Sequence, residues 1–292
     1  MIKSNSIAFK FAFISVLLWS TVATAFKISL KYLSPEELVF YASLSSFFVL
    51  FFVIIIQKKL HLVSIHVKTN SLMTLILGSI NPFLYYLVLF KAYDLLPAQE
   101  AQAINYTWAL MLAFLSVPLL KQKLTFGDIV AGIICYFGVL IISTKGEPFS
   151  LNFSNLDGVL LALLSTVLWA LYWIFNTKSK SDPVVSLFSN FLFALPMIGI
   201  YLYFTQTIVF PDIEGILAAI YVGFFEMGIT FLFWLKAMQT AENTAKIANL
   251  IFISPFLSLI LIYFVLNEPI FISTLFGLSF IILGLVIQQK SK

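Results

Sequence analysis

A carboxylate and an amide occupy matched positions in two long apolar stretches of the sequence. Glu226 lies within AAIYVGFFEMGITFLF, and Asn81 stands 145 positions earlier (226 − 81 = 145) within LILGSINPFLYYLVLF. An ionised side chain at mid-bilayer costs about 2.5 to 3.5 kcal/mol, so Glu226 is predicted to face protein or a water-filled cavity. Both residues could contact a substrate, and Glu226 could carry a proton. The alternative is that they only hydrogen-bond neighbouring helices.

Asn81 is followed by a proline, which bends a helix and removes one of its hydrogen bonds. Pro82 leaves the carbonyl of Gly78 without its usual donor, and membrane depth tolerates this only where protein or water satisfies the oxygen. Tyr85 follows Asn81 by four positions (85 − 81 = 4), so α-helical spacing predicts that both side chains share a face. These groups are predicted to line one wall of a site, the alternative being a bend that serves packing alone.

Tryptophans and amides recur at helical spacing in other apolar stretches. Trp169 lies in a polar and aromatic stripe with Thr166 and Trp173, and Trp19 matches Trp169 by its place in the repeat described below. Tryptophans often anchor membrane proteins at the interface, but Trp19 and Trp169 lie deeper and are predicted to line a cavity. Amides, phenols and indoles around one interior would suit a small zwitterion with an apolar or aromatic side chain. The remaining candidates are Asn105, Tyr106, Trp108 and Asn249.

The chain contains two related halves. FLYYLVLFKAYDLLPAQEAQAIN, which starts at Phe83, aligns with GITFLFWLKAMQTAENTAKIANL, which starts at Gly228 (228 − 83 = 145). The glycines Gly132 and Gly277 keep the same offset (277 − 132 = 145). We therefore predict two repeats, residues 1–145 and 146–292.

Composition excludes a soluble globular protein. Hydrophobic residues make up 61% of the 292 positions and charged residues 10%, against roughly 25% charged residues in soluble domains. All seventeen basic residues are lysines, so the bidentate contacts of arginine to phosphate are absent and nucleic acid is not an expected partner.

Ten apolar stretches are long enough to cross the roughly 30 Å hydrocarbon core of a bilayer as helices. They predict an all-α polytopic membrane protein of ten transmembrane helices, and no loop is long enough for a soluble catalytic domain. The predicted spans are residues 9–30, 36–56, 70–92, 97–120, 126–143, 156–177, 184–205, 213–236, 243–266 and 270–289.

Lysine positions predict the orientation of these helices. With a cytoplasmic N-terminus, thirteen lysines fall on the cytoplasmic side and four on the other (13 + 4 = 17), as the positive-inside rule requires. Five crossings per half is an odd number, so the second repeat must run inverted relative to the first. Inverted repeats are typical of secondary transporters, whose substrate site lies between the repeats.

The sequence lacks the motifs that bind ATP or a catalytic metal. The sequence has neither a G-x-x-x-x-G-K-[ST] loop for ATP nor an H-E-x-x-H zinc helix. His61 and His66 are predicted to be solvated in a cytoplasmic loop, without the carboxylates or cysteines of a metal site. No cofactor or metal is therefore expected, and an enzyme is the class that the sequence favours least.

INYTWALMLAFLSVPLLKQKLTFGDIVAGIICYFGVLIIS, residues 104–143, and most of the second half resemble the EamA-type members of the drug/metabolite transporter superfamily. QEAQAINYTW, residues 99–108, resembles the YddG-type amino-acid exporters within that group. The sequence departs from the family at Ala109, where a proline is frequent, and at Lys121-Gln122, where a Gly-Glu pair is frequent. The resemblance implies ten helices, cytoplasmic termini and a central cavity lined here by Trp19, Tyr85, Tyr106, Trp108 and Trp169.

The resemblance also implies export of amino acids or related metabolites across the inner membrane of a bacterium by alternating access. In that function the candidates Trp19, Asn81, Tyr85, Asn105, Tyr106, Trp108, Trp169, Glu226 and Asn249 would bind substrate, and Glu226 would also couple transport to a proton. The alternatives are an uptake or exchange carrier of the same fold and a non-transporting membrane scaffold. The expected partners are a small-molecule substrate and the lipid bilayer, and a monomer is the working expectation.

Overall fold

The computed structural model describes residues 4–150, 152–177, 181–205, 210–242, 247 and 249–290. Within these ranges the regular secondary structure is helical. Ten helices among the described residues are long and apolar enough to cross a bilayer, which confirms the predicted number. They are α1 (Ser6–Ser29), α2 (Pro35–Ile56), α3 (Leu60–Leu95), α4 (Ala98–Leu120), α5 (Phe126–Ser143), α6 (Leu156–Asn176), α7 (Pro183–Thr205), α8 (Ile213–Thr240), α9 (Asn249–Leu266) and α10 (Ile272–Lys290).

The bounds differ from the prediction mainly at α3. This helix begins at Leu60 rather than at residue 70, so its first turns carry His61, His66 and Lys68. Hydropathy placed the beginning of this helix too late because its first turns are polar, and polar residues can form a helix as well as apolar ones. The predicted beginning of α9, at residues 243–246, lies outside the described residues.

Side chains cap several of these helices. Ser34 accepts a hydrogen bond from the Glu37 amide at 3.2 Å while the Glu37 carboxylate accepts one from the Ser34 amide at 2.8 Å, and Pro35 opens α2. This capping box satisfies two amides that a helix start leaves without partners. Glu268 does the same for α4, since its two carboxylate oxygens accept from the amides of Ala98 at 3.0 Å and Gln99 at 3.3 Å.

The chain divides into two compact units. The first contains the described residues of 4–83 and 181–266, and the second those of 84–177 and 267–290. Each unit therefore draws helices from both sequence repeats.

In the second unit, α5 and α10 pack closely and run antiparallel. A Cβ on Gly138 would lie 2.5 Å from the carbonyl oxygen of Gly277, and a Cβ on Gly284 would lie 2.5 Å from Cys135 Sγ. Contacts thus pair a later residue of α5 with an earlier residue of α10. Small residues at the crossing let the two backbones approach, as is common between membrane helices.

In the first unit, small residues also set the packing. Ala8 and Ala12 of α1 form a buried cluster with Ala237 and Ala241 at the end of α8. The π-helical part of α8 lies directly against α2, because a Cβ on Gly223 would overlap the carbonyl oxygen of Ala42.

Equivalent helices of the two repeats break at equivalent places. In α3 a π-helical segment, Ser79–Leu84, precedes the α-helical segment Tyr85–Leu95, and in α8 the π-helical segment Val222–Ile229 precedes Thr230–Thr240. Adding 145 to 85 and 95 gives 230 and 240, so the two final segments coincide residue for residue. The repeat seen in sequence extends to local backbone geometry.

Candidate functional site

An aromatic cluster lies in the second unit, where the final segment of α3 packs on α6. The rings of Tyr85 and Trp169 stack with centroids 4.5 Å apart and planes 26° apart. Trp108 of α4 meets Trp169 edge-on at 6.5 Å and 86°, and the ring of Tyr172 stacks with that of Trp169 at 5.4 Å. Such offset and edge-on pairs are favourable arrangements of aromatic rings. The structure therefore brings three predicted residues, Tyr85, Trp108 and Trp169, into one cluster.

Polar groups lie one helical turn from these rings. Asn105 Nδ2 donates to Ser165 Oγ at 2.9 Å, and Ser165 Oγ donates to the carbonyl of Ala162 at 2.6 Å. Ser165 precedes Trp169 by four positions and so shares its face of α6. Tyr106 follows Asn105 directly, at the end of the short helical segment Ala98–Asn105, and is half-buried.

Ser165 and Tyr172 were missed in the sequence. Both belong to the stripe of α6 that carries Trp169, at spacings of four and three residues. That spacing was available as a signal, but a serine in an apolar helix is too common to stand out.

A second aromatic group lies in the first unit, at the position equivalent in the repeat. Trp19 of α1 contacts Phe231 at 5.7 Å and 81° and Trp234 at 5.3 Å and 57°. Trp19 and Trp169 are 150 positions apart (169 − 19 = 150), as are the beginnings of their helices at Ser6 and Leu156 (156 − 6 = 150), so the offset of the repeat is five residues larger here than at α3 and α8. The segment of α8 that carries Phe231 corresponds to the segment of α3 that carries Tyr85. In each unit a tryptophan at an equivalent place in the repeat, Trp19 or Trp169, thus packs on other aromatic side chains.

The predicted polar pair occupies the two π-helical segments of the first unit. Glu226 is half-buried within Val222–Ile229, and its Oε2 atom is buried. Asn81 lies within Ser79–Leu84, is 2% exposed and has extended rather than helical backbone angles, φ −135° and ψ 118°. Single π-helical turns inside α-helices are frequent at functional sites.

The break at Asn81 confirms the predicted bend but corrects one inference from it. The expectation that Asn81 and Tyr85 share a helical face assumed α-helical geometry between them. Because the backbone there is not α-helical, a spacing of four residues does not align the two side chains.

Asn249 begins a short 3₁₀ turn, Asn249–Ile253, and its side chain is exposed. A groove of about 470 Å³ in the second unit contains none of the predicted site residues. It is lined at the end of α5 and the beginning of α10 by Ile141, Lys145, Gly146, Pro148, Ile272, Ser273, Phe276 and Phe280.

The prediction for His66 was wrong, since this residue is buried rather than solvated. It is 6% exposed and lies on α3, whereas His61 is exposed. The difference follows from the early start of α3, which turns His66 toward α7 and leaves His61 at the end of the helix.

Comparison with known proteins identifies the relatives of this chain. The sequence profile of the EamA-like transporter family matches residues 6–144 and, a second time, residues 156–288. An uncharacterized transporter of Archaeoglobus fulgidus is 28% identical over 286 residues, covering 96% of this chain and 97% of that protein. The uncharacterized transporter YvbV of Bacillus subtilis is 25% identical over 284 residues, covering 95% and 90%.

A crystal structure of a protein with 19% identity superposes on this chain with a TM-score of 0.67, covering 98% of both chains. At that identity the likeness shows the fold alone. The double match of the family profile covers most of the sequence, and the ten apolar helices agree with it. This multi-pass membrane protein belongs to the EamA-like transporter family.

Proposed function

We propose that the protein exports amino acids or related small metabolites by alternating access across the inner membrane of a bacterium, with both termini in the cytoplasm. Its membership of a transporter family and its ten apolar helices support transport through a bilayer. The lysine distribution supports the orientation.

The observation that carries the substrate class is the cluster of Tyr85, Trp108 and Trp169 beside the hydrogen-bonded pair Asn105 and Ser165. Aromatic rings offer contact to an apolar or aromatic side chain. An amide and a hydroxyl offer a donor and acceptors for the carboxylate and ammonium of an amino acid. A site with a few polar groups among apolar walls is typical of small-molecule binding.

Substrate contact requires movement in the cluster. Tyr85 is 4% exposed and Trp169 is 8% exposed, so a substrate reaches these rings only when they part. The π-helical segments Ser79–Leu84 and Val222–Ile229 are suited to act as hinges, because such segments interrupt the regular hydrogen bonding of a helix.

The antiparallel contact of α5 and α10 supports an inverted repeat. These helices are equivalent in the two sequence repeats, yet they cross in opposite directions within the second unit. Inverted repeats are a common basis of alternating access.

Glu226 is proposed as the coupling residue. It lies in a π-helical segment at the place that Asn81 occupies in the other repeat, and it is the one ionisable member of the pair. Ionisable residues within membrane helices of transporters commonly serve proton or ion pathways.

The substrate class is tested first by a thermal-shift screen of the purified protein against the proteinogenic amino acids. A ligand that binds the folded state raises the midpoint in proportion to the logarithm of its concentration above Kd. The best ligand is then assayed as a radiolabelled substrate in proteoliposomes. Counterflow in vesicles of known orientation separates export from uptake.

Trp169→Ala is expected to weaken the apparent affinity about tenfold or more, whereas Trp169→Phe keeps most of it, because the phenyl ring retains the stack on Tyr85. Tyr203→Ala is the matched control, since Tyr203 is 68% exposed on α7 and lies outside the cluster. Unchanged transport in Trp169→Ala would contradict the proposal that this aromatic cluster binds the substrate.

Glu226→Gln in the same assay is expected to abolish the dependence of the transport rate on pH. A wild-type pH profile in this variant would remove Glu226 from the coupling role.

A further inference from the structure

A line of polar contacts joins α3 to α7 within the first unit. Lys59 Nζ donates to Asp182 Oδ2 at 2.7 Å just before both helices begin. Beside this pair, His66 Nδ1 lies 2.7 Å from the Oγ of Ser181, the residue before Asp182, and His66 Nε2 lies 3.1 Å from Thr74 Oγ1. The imidazole ring therefore bridges the beginning of α7 and the middle of α3, with both nitrogens in hydrogen bonds.

The polar contacts continue along α3 and α7. On α3, His66 and Thr74 are hydrogen-bonded across Asn70, whose backbone is not helical (φ −131°, ψ 28°), and Thr74 and Gly78, four residues apart, share a face. On α7, Ser186 and Asn190 are also four residues apart and share a face. The two faces meet, because a Cβ on Gly78 would lie 2.6 Å from the carbonyl oxygen of Asn190.

The polar line continues inward from the histidine. Ser186 and Asn190 are 3% and 0% exposed, and their side-chain polar atoms have no hydrogen-bond partner in the part of the chain that the structure describes. Buried polar atoms of this kind call for water or another polar ligand. This line of polar residues between α3 and α7, which we call the seam, therefore leads from Lys59 and Asp182 at the helix ends to the buried Ser186 and Asn190.

The hydrogen bonds of His66 accommodate either charge on the ring. Thr74 Oγ1 also donates to the carbonyl of Asn70 at 2.9 Å, which directs its single hydrogen away from the ring and makes it an acceptor for Nε2–H. Ser181 Oγ can donate to a bare Nδ1 or, after rotation of its hydroxyl, accept from Nδ1–H. Both ring nitrogens keep their partners when a proton binds at Nδ1, so protonation breaks no hydrogen bond.

We propose that His66 is a reversible proton-binding site, reached from the end of α3 and α7 where Lys59 and Asp182 lie. Proton binding transfers a proton from hydronium in the aqueous phase to Nδ1, so one O–H bond of hydronium breaks, one N–H bond forms, water is released and the imidazole becomes an imidazolium. The charge then arises at the joint between α3 and α7.

The other titratable groups at this end of the two helices are few. Asp182 follows Ser181 directly and faces Lys59, while Lys58 before α3 and His61 and Lys68 on it are exposed. Lys178 and Lys180 lie outside the described residues. The proposal does not depend on the identity of the substrate or on the role of Glu226.

Nuclear magnetic resonance of histidine-labelled full-length protein in detergent micelles tests the proposal directly. The chain has two histidines, so His61→Gln assigns the two imidazole signals without altering the seam. We expect the His66 signal to move reversibly between about pH 5 and about pH 8, the range in which histidine changes charge.

Ser181→Ala removes a hydrogen bond from both charge forms of the ring, but the bond to the charged imidazolium is the stronger of the two. The His66 midpoint is therefore expected to fall by about 0.5 to 1 pH unit in this variant. A His66 signal that stays constant over this range would overturn the proposal, as would an unchanged midpoint in Ser181→Ala. This experiment needs no substrate, so its failure would leave the proposed transport function untouched.

Discussion

At the scale of single residues, Asp182 combines two roles at the beginning of α7. Its Oδ1 accepts from the amides of Val184 at 3.0 Å and Val185 at 3.2 Å, and its Oδ2 accepts from Lys59. Burial raises the pKa of Asp182, but the hydrogen bond and charge of Lys59 and the two amides outweigh it, so the pKa lies below its ordinary value. The ionised form is thus the form that the folded protein stabilises.

The sign of the pH effect follows from that shift. The ionised carboxylate contributes stability above the unfolded pKa of about 3.9, and this contribution is lost as the pH falls through the lower folded value. Asp182→Asn keeps the cap acceptor but removes the charge, and is expected to lower the melting midpoint at neutral pH by about 1 to 3 °C. The difference from wild type should narrow as the pH falls below about 3.9 and close once the pH lies below the lower folded pKa.

Asp182→Ala removes the cap as well, which costs about another 1 kcal/mol. It should therefore melt below Asp182→Asn at every pH. Equal midpoints for the two variants, measured by thermal unfolding in detergent, would show that the cap contributes nothing.

At the scale of helices, close crossings depend on residues without side chains. Gly138 and Gly277 bring the backbones of α5 and α10 together, whereas Gly199 of α7 has ordinary space, with Phe40 at 3.5 Å from a Cβ. The first two positions cannot accept a methyl group unless the helices move apart. Position 199 can.

Gly138→Ala is expected to destabilise the protein by about 1 to 3 kcal/mol through overpacking. Gly199→Ala, the matched control, should be neutral or stabilising by up to about 1 kcal/mol, because alanine favours helix more than glycine does. Thermal unfolding in the same detergent compares them. If both variants melt alike, the crossing of α5 and α10 is looser than the structure indicates.

At the scale of the whole molecule, the proposed orientation predicts which loops face the cytoplasm. Lys123 and Lys145 are both exposed, at opposite ends of α5. Native Cys135 is 0% exposed and provides an unreactive background. With cytoplasmic termini, a membrane-impermeant maleimide added to intact spheroplasts should label Lys145→Cys and spare Lys123→Cys, while permeabilised cells should show labelling of both. The reverse pattern would invert the topology.

Sequence alone predicted the helices and the two related halves. A bilayer requires that each spanning segment satisfy its own backbone hydrogen bonds, so length and hydropathy suffice to count ten helices. The offset of 145 residues predicted that Asn81 and Glu226 correspond, and the two π-helical segments occupy those same places. The helix count depends only on each stretch of chain by itself, and the correspondence of Asn81 with Glu226 depends only on the similarity of two stretches.

Tertiary structure alone decided which side chains meet. The stack of Tyr85 on Trp169, the bond from Asn105 to Ser165 and the bridge of His66 to Ser181 all join residues that lie far apart in the sequence. Hydropathy placed His66 in a loop because its neighbours are polar, whereas its burial depends on α7 packing against that turn. Spacing within a helix shows on which side of the helix a residue lies. Which residues of another helix contact that side depends on how the two helices cross.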